Sequence, residues 1–164
     1  MKSIFEYVNR KPVRRRADIY IIKDDNIIFG IPDKGYTTYI VPGGKIEGDE
    51  SPEKTAQREA IEELGISTKD LTFLSKKLIK YSGTSSNQFI QKNIDKYSGV
   101  EIYTFVGYFD KQIKIDTKSN NDTYKTIELS KDQALQHFKT QLQKEKEDFN
   151  KKKIIYVIEC LKKI

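Results

Sequence analysis

Between Ser51 and Gly65 the chain reads PEKTAQREAIEEL, a stretch whose only proline is its first residue and which holds no glycine. Serine is a good N-cap, and proline at the first helical position loses no hydrogen bond it would have made. Ala56, Ala60 and Leu64 recur every four residues as one apolar stripe, and Gly65 stands where a left-handed residue commonly ends a helix. The pattern predicts a helix over 52–64. At about 100° per residue, Glu59, Glu62 and Glu63 project within an arc of about 100° on one face. Three carboxylates then share one small volume.

Like charges at i and i+4 cost a helix a few tenths of a kcal/mol, so Glu59 and Glu63 are mildly unfavourable together unless something cationic compensates. An arbitrary charged helix would present these residues as a solvated acidic face, with Arg58 paired to Glu62. The preceding Gly43-Gly44 argues for more, because glycines let the backbone approach closely and turn a main-chain carbonyl toward the same carboxylates. An all-oxygen set suits a hard divalent cation, with Mg2+ the natural candidate and Mn2+ a substitute. Such an ion neutralises phosphate oxygens and acidifies bound water, while a spare carboxylate takes the proton. The chemistry implied is hydrolytic attack at phosphorus.

Gly44, Glu50, Arg58, Glu59, Glu62, Glu63 and Gly65 match the spacing G-x5-E-x7-R-E-U-x-E-E-x-G-U, where U is apolar and is filled by Ala60 and Ile66. In this the chain resembles the Nudix hydrolases, and most of all their MutT-like group. The resemblance implies that Glu59, Glu62 and Glu63, with the Gly43 carbonyl, are metal ligands, and that Glu59 or a carboxylate outside this segment is the general base. Glu50 and Arg58 match the pair that fastens loop to helix. The reaction implied joins water to a nucleoside diphosphate linked to a group X and releases a nucleoside monophosphate and phosphorylated X. The MutT-like group points to (deoxy)nucleoside triphosphates. An RNA 5′-end pyrophosphohydrolase or decapping enzyme, a dinucleoside polyphosphate hydrolase and a nucleotide sensor that no longer cleaves are the alternatives.

A chain of 164 residues fits one domain, which would bury roughly two thirds of its unfolded surface. The single cysteine, Cys160, excludes an intramolecular disulfide and thiolate metal clusters, and reads as a small apolar filler. Residues 1–16 are too charged for a secretory signal, and no apolar run approaches the ~18 residues a membrane span needs, so a cytoplasmic protein is expected. Monomer and homodimer both remain open. The formal charge of +6 divides into +5 over 1–16, −3 over 17–130 and +4 over 131–164. The basic ends, with Lys11, Arg14, Arg15 and Arg16 in one and Lys151, Lys152 and Lys153 in the other, would suit RNA or a polyphosphate chain, though a solvated basic surface explains them equally well.

Residues 17–22 and 26–31 are β-branched runs parted by Lys-Asp-Asp, which predicts a hairpin. Further strands are expected over 37–41, 71–81, 100–109 and 126–129, and helices over 131–142 and 145–163, the last with a broad apolar face. The succession is α/β. With the resemblance it implies a Nudix-type α/β/α sandwich, a mixed β-sheet between helices, after a basic N-terminal segment. The polar stretch 82–98 reads as a long loop that would serve as a substrate lid or lie idle on the surface.

Outside the helix, Asp122, Asp116 and Glu101 are candidates for one more carboxylate, the first two in an acidic loop expected over 110–121 and just beyond it. Gly44, Tyr36, Tyr81 and Arg16 are candidates for substrate contact, the tyrosines and Phe89 by stacking on a base. Tyr39 reads as packing beneath the glycine loop. The lone His137 is expected to be a bystander on a surface helix. No proline follows Pro52 and there is no tryptophan, which argues against the ADP-ribose-cleaving and NADH-cleaving relatives.

Overall fold

The computed structural model describes residues 11–33, 36–113 and 123–164. Among these, the elements run β1 (Val13–Lys23), β2 (Asn26–Ile31), β3 (Gly43–Lys45), α1 (Pro52–Leu64), β4 (Ile66–Lys80), α2 (Gln88–Lys96), β5 (Gly99–Gln112), β6 (Lys125–Leu129), α3 (Lys131–Lys144) and α4 (Asp148–Lys163). The sheet order is β4-β5-β1-β2-β6, with β3 added to β1. β1 and β5 are parallel over ten residue pairs, while β1 with β2, β1 with β3, β2 with β6 and β4 with β5 are antiparallel. The sheet is therefore mixed.

Strand alternation sorts β1 between two cores. Ala17, Ile19 and Ile21 face Ala56, Ala60 and Leu64 of α1. Tyr20 and Ile22 face the opposite layer, which Ala134 and Phe138 of α3 and Ile154, Ile158 and Leu161 of α4 complete. Helices thus cover both faces, and the α/β/α sandwich stands as expected. A buried hydrogen bond ties the second layer to the sheet, where Thr104 of β5 meets the Tyr156 hydroxyl of α4 at 2.8 Å. Cys160 is fully buried among these residues.

The expected hairpin forms, with β2 ending at Ile31 as predicted. The strand expected over 37–41 does not. Only Ile40 joins the sheet, exchanging both backbone bonds with Gly30 at 2.9 Å, and Ile19 N–H donates to the Pro42 carbonyl. The reason lies in α3. Tyr39 N–H donates to His137 Nε2 at 3.1 Å and the Thr37 and Thr38 hydroxyls donate to Gln141, so the segment is fastened to the helix instead of to a strand. His137 is accordingly no bystander: it is half-buried, stacks on the Tyr39 ring with centroids 4.1 Å apart, and burial lowers its pKa. Its ring positions the chain leading into β3.

Five further boundaries differ. β1 begins at Val13 and not at residue 17, so Arg14, Arg15 and Arg16 of the expected basic N-terminal segment are strand residues, held by their pairing with β5. β4 begins at Ile66, immediately after the helix, and not at residue 71, because an edge strand pairs on one side only and tolerates the polar Ser67, Thr68 and Lys69. Asp70, at φ 54°, marks one of its bulges. The stretch 82–98 is not wholly loop, since Asn87 caps α2 by accepting from the N–H groups of Phe89 and Ile90, and Ile90 is buried. β5 runs on through Asp110 to Gln112, so these residues are strand and not the expected acidic loop, and 114–121 lie outside the described residues. Finally, α3 extends to Lys144 and α4 starts only at Asp148, where the Glu145 carboxylate accepts from Glu147 N–H and breaks the run. Among the described residues no helix is long and apolar enough to cross a membrane.

Candidate active site at the glycine pair

Local chemistry sets the helix ends of the site as the sequence suggests. The Ser51 hydroxyl accepts from Lys54 N–H at 3.2 Å, Pro52 occupies the first turn, and Gly65 closes the helix at φ 68° with its N–H on the Ile61 carbonyl. Glu50, just before the helix, accepts from the buried Thr55 hydroxyl at 2.5 Å. Arg58 reaches back to grip both oxygens of Glu50, Nε on Oε2 and Nη2 on Oε1, each at 3.0 Å. Its remaining N–H groups donate to Glu59 at 3.0 Å, to Glu62 at 3.1 Å and to the Lys45 carbonyl at 3.3 Å. One guanidinium thereby joins the strand before the helix, the loop and the carboxylate face. Hydrogen bonds from Arg58 and Thr55 hold the Glu50 carboxyl down at about 2, so its stabilising contribution is present above the ordinary carboxylate range and is lost as pH falls through about 2.

β3 brings the two glycines against this face. Antiparallel pairing sets Gly43 opposite Asp18 and Gly44 opposite Ala17, and Gly43 N–H donates to Glu63 Oε1 at 3.1 Å. A methyl group at Gly44 would overlap the Glu59 carboxylate, and one at Gly43 would overlap the Asp18 carboxylate. Burial raises the Glu63 carboxyl to about 8, against the Gly43 N–H that favours its ionised form, and a hydrogen bond with Glu59 adds to the rise. Without a cation, the contribution of Glu63 to stability is therefore fully present below the ordinary carboxylate range and is lost as pH rises through about 8.

On the other side of the glycine pair Arg16 pairs with Asp18, Nη2 on Oδ1 at 2.7 Å and Nε at 2.8 Å. Burial opposes the Arg16 charge, and Asp18, Glu63 and Glu59 more than restore it. Arg16 thus stands in the field of the carboxylates while belonging to the α4 side of the sheet.

The other sequence candidates separate. Glu62 is half exposed at 49 % and touches Arg58, while Glu59 is 14 % exposed. Glu101 engages the Tyr103 hydroxyl, Arg15 and Lys76 and shares no partner with Glu59, Glu62 or Glu63. Tyr36 is 75 % exposed and Phe89 68 %. Tyr81 is half-buried against Phe149, with ring centroids 4.7 Å apart. Asp116 and Asp122 lie outside the described residues. Among the described residues no group of three or more His, Cys, Asp or Glu side chains stands in metal-holding geometry. The pair Glu59 and Glu63 nevertheless fits a cation: two hydrogen-bonded carboxylates against a strand with no Cβ, one of them protonated up to about 8, is an arrangement that positive charge would relax.

Sequence reasoning missed Asp18, Thr55 and the role of His137. An opposite charge two residues from Arg16 on a strand was a readable sign for Asp18. The contact of His137 with Tyr39 spans 98 positions and left no local sign.

A substitution at the glycine pair separates geometry from stability. Gly44→Ala should keep the fold, since the displaced neighbour is the end of a flexible side chain, yet move Glu59 by about 1 Å and lower turnover roughly 100-fold. Thermal melts beside initial rates check this, and unchanged turnover would mean that the Glu59 position does not matter.

A family model described as NUDIX domain matches residues 13–153. No curated protein matches the chain. Among solved structures, a NUDIX hydrolase from Nitrosomonas europaea is 16 % identical, with 92 % of this chain and 87 % of that one covered and a TM-score of 0.59. The MutT mutator protein of Bacillus halodurans is 20 % identical over 76 % of this chain and 72 % of that one, with a TM-score of 0.54. A pyrophosphohydrolase of Bacillus subtilis, solved as a variant, is 16 % identical over 71 % and 62 %, at 0.53. At such identities the structural likenesses speak for the fold.

Proposed function

The chain belongs to the NUDIX family and is by that membership a hydrolase of phosphorus anhydrides, and on this premise we propose that it cleaves a nucleoside diphosphate linked to a group X, most simply a (deoxy)nucleoside triphosphate. The observation that carries the reading is the meeting of Glu59 and Glu63 with Gly43 and Gly44 of β3, next to Glu62 on the same helix face. Glu59, Glu62, Glu63 and the Gly43 carbonyl would hold Mg2+, or Mn2+ in its place, which when bound supplies charge neutralisation at the phosphates and a more acidic water.

The chain's own residues do the rest. Arg58 holds Glu59 and Glu62 in place through two hydrogen bonds from Nη1 while its grip on Glu50 anchors it to the loop, so it positions carboxylates and does not itself meet substrate. Glu59, beside the space Gly44 leaves open, is the nearest candidate to take a proton from the attacking water, and a carboxylate in 114–122 is the alternative. Gly43 N–H fixes Glu63.

The test is product analysis by chromatography after incubation with Mg2+ and a panel of nucleoside triphosphates, dinucleoside polyphosphates, nucleotide sugars and triphosphorylated RNA. Release of a nucleoside monophosphate and phosphorylated X is the expected result. No cleavage of any member, with Mg2+ or with Mn2+, would overturn the reading in favour of a nucleotide sensor.

A further inference from the structure

β4 ends the sheet, and its outer edge pairs with no other strand among the described residues. An open edge presents a row of free N–H and C=O groups, which folds commonly blunt with bulges or lysines. Here every irregularity falls in one half of the strand. The register with β5 shifts between Ser67 and Thr68, between Lys69 and Thr72 and between Phe73 and Ser75, then runs unbroken through six pairs from Ser75 to Lys80. The second half is therefore regular enough to take another strand. Lys76, Lys77, Leu78 and Lys80 in this half are exposed.

A groove of about 280 Å³ lies along this half, between β4 and α4. Two of its apolar side chains stand open to solvent, Leu78 at 42 % and Ile155 at 43 % exposure. Lys77, Lys80 and Lys152 line it too, against one acid, Glu159. Lys152 is answered by Asp148 at 3.2 Å, and Lys76, the next residue along β4, by Glu101 at 3.8 Å. Lys77 and Lys80 form no ion pair among the described residues. Ile79 packs into the α4 layer, so alternation puts Lys77 on that face with Ile155, and Leu78 with Lys80 on the other. Each face of the edge thus shows one apolar side chain beside one lysine without a partner. Strand addition uses these parts, taking affinity from main-chain bonds and selectivity from alternate side chains.

The charges select the occupant. A second copy of the chain would set its own Lys76, Lys77 and Lys80 against these, and like charges on neighbouring strands repel. A nucleic acid would meet the lysines and leave the backbone edge, Leu78 and Ile155 unused. We propose that the edge of β4 from Ser75 to Lys80, with the groove it shares with α4, binds an extended acidic and apolar segment of a partner protein, which joins the sheet as a further strand. A segment that suits both faces carries its acidic and its apolar residues as adjacent pairs, as Glu-Glu-Val-Val does. β5 and β1 lie between this edge and β3, so the surface stands apart from the carboxylates and does not depend on the hydrolase reading.

The probe is a fluorescent peptide of two Glu-Glu-Val-Val repeats with blocked ends, followed by anisotropy and by amide hydrogen exchange of the whole chain. Wild type should bind it saturably, and exchange should slow within 75–80 but not in the bulged half. Both groove lysines of β4 are exposed, so the double variant Lys77→Glu, Lys80→Glu should fold, and it should bind roughly tenfold more weakly. Lys69→Glu, the same charge change at an exposed position of the bulged half, should bind as wild type does. A peptide methylated on its backbone nitrogens keeps its charge, loses its edge bonds and should bind roughly tenfold more weakly. No binding by wild type, equal binding of the methylated peptide, or equal binding of a peptide with lysine for glutamate overturns the proposal. So does displacement by an oligouridylate of equal charge, which would give the lysines to nucleic acid. Protection of 75–80 that grows with protein concentration in the absence of peptide would give the edge to a second copy and overturn it as well.

Discussion

Glu62→Gln is expected to lower kcat by about 10^2 to 10^3-fold while leaving the melting temperature nearly unchanged. The two effects separate because of where Glu62 stands. Its side chain is 49 % exposed and it pairs with Arg58, an i,i+4 contact on a wet helix face. Such pairs contribute about 0.3 to 0.5 kcal/mol, and removing one of three neighbouring carboxylates relieves repulsion of similar size. Arg58 keeps its bidentate grip on Glu50 and its bond to Glu59, so the loop stays fastened. The amide retains an acceptor oxygen but not the charge, and a divalent cation facing a phosphate chain needs the charge. Initial rates at saturating Mg2+ beside a thermal melt check the prediction. Turnover within twofold of wild type would show that Glu62 is no ligand and that the helix face is merely solvated.

Ala60→Asp should fail in the opposite way, by unfolding. Ala60 is fully buried in the stripe that α1 lays on Ala17, Ile19 and Ile21, and the core around it is made of apolar side chains. An aspartate there must either remain ionised without a partner or stay protonated at neutral pH. Holding a carboxyl neutral three units above its ordinary pKa costs about 4 kcal/mol, and the added volume in a close-packed seam costs about 1 to 3 kcal/mol more. Domains are stable by about 5 to 15 kcal/mol in total, so little of the fold would survive. Lys54→Asp, exposed in the first turn of the same helix, is the control and should change stability by less than about 0.5 kcal/mol. Circular dichroism melts of the two variants decide it, and a cooperative transition at the wild-type temperature for Ala60→Asp would mean that the helix is turned the wrong way.

The helix was legible because everything that defines it is local. Ser51, Pro52 and Gly65 act within a turn of themselves, and the spacing of Ala56, Ala60 and Leu64 follows from 3.6 residues per turn. The grip of Arg58 on Glu50 spans eight residues and could be anticipated from the motif. The segment 37–41 was misjudged because its residue types suit a strand, while the groups that capture it, His137 and Gln141, lie about a hundred positions away. The helix inside 82–98 was overlooked because its apolar face is slight, with Ile90 its one buried side chain, and its cap is an asparagine in a run of polar residues.

The sequence by itself determined the family, the order of the main elements and the face on which three glutamates stand, since each of these follows from spacing within the segment 44–66, from the helical period or from the period of a strand. Only the tertiary structure decided which charges meet. Arg14, Arg15 and Arg16 are adjacent letters, yet alternation parts them, and which face receives α1 and which α4 depends on packing the whole sheet. Asp18 and Gly43 come together through the register of β1 with β3, and Tyr156 meets Thr104 through the packing of the last helix. Contacts of that range depend on the closure of the fold, because the side chains involved have no influence on one another until the sheet has brought them within reach.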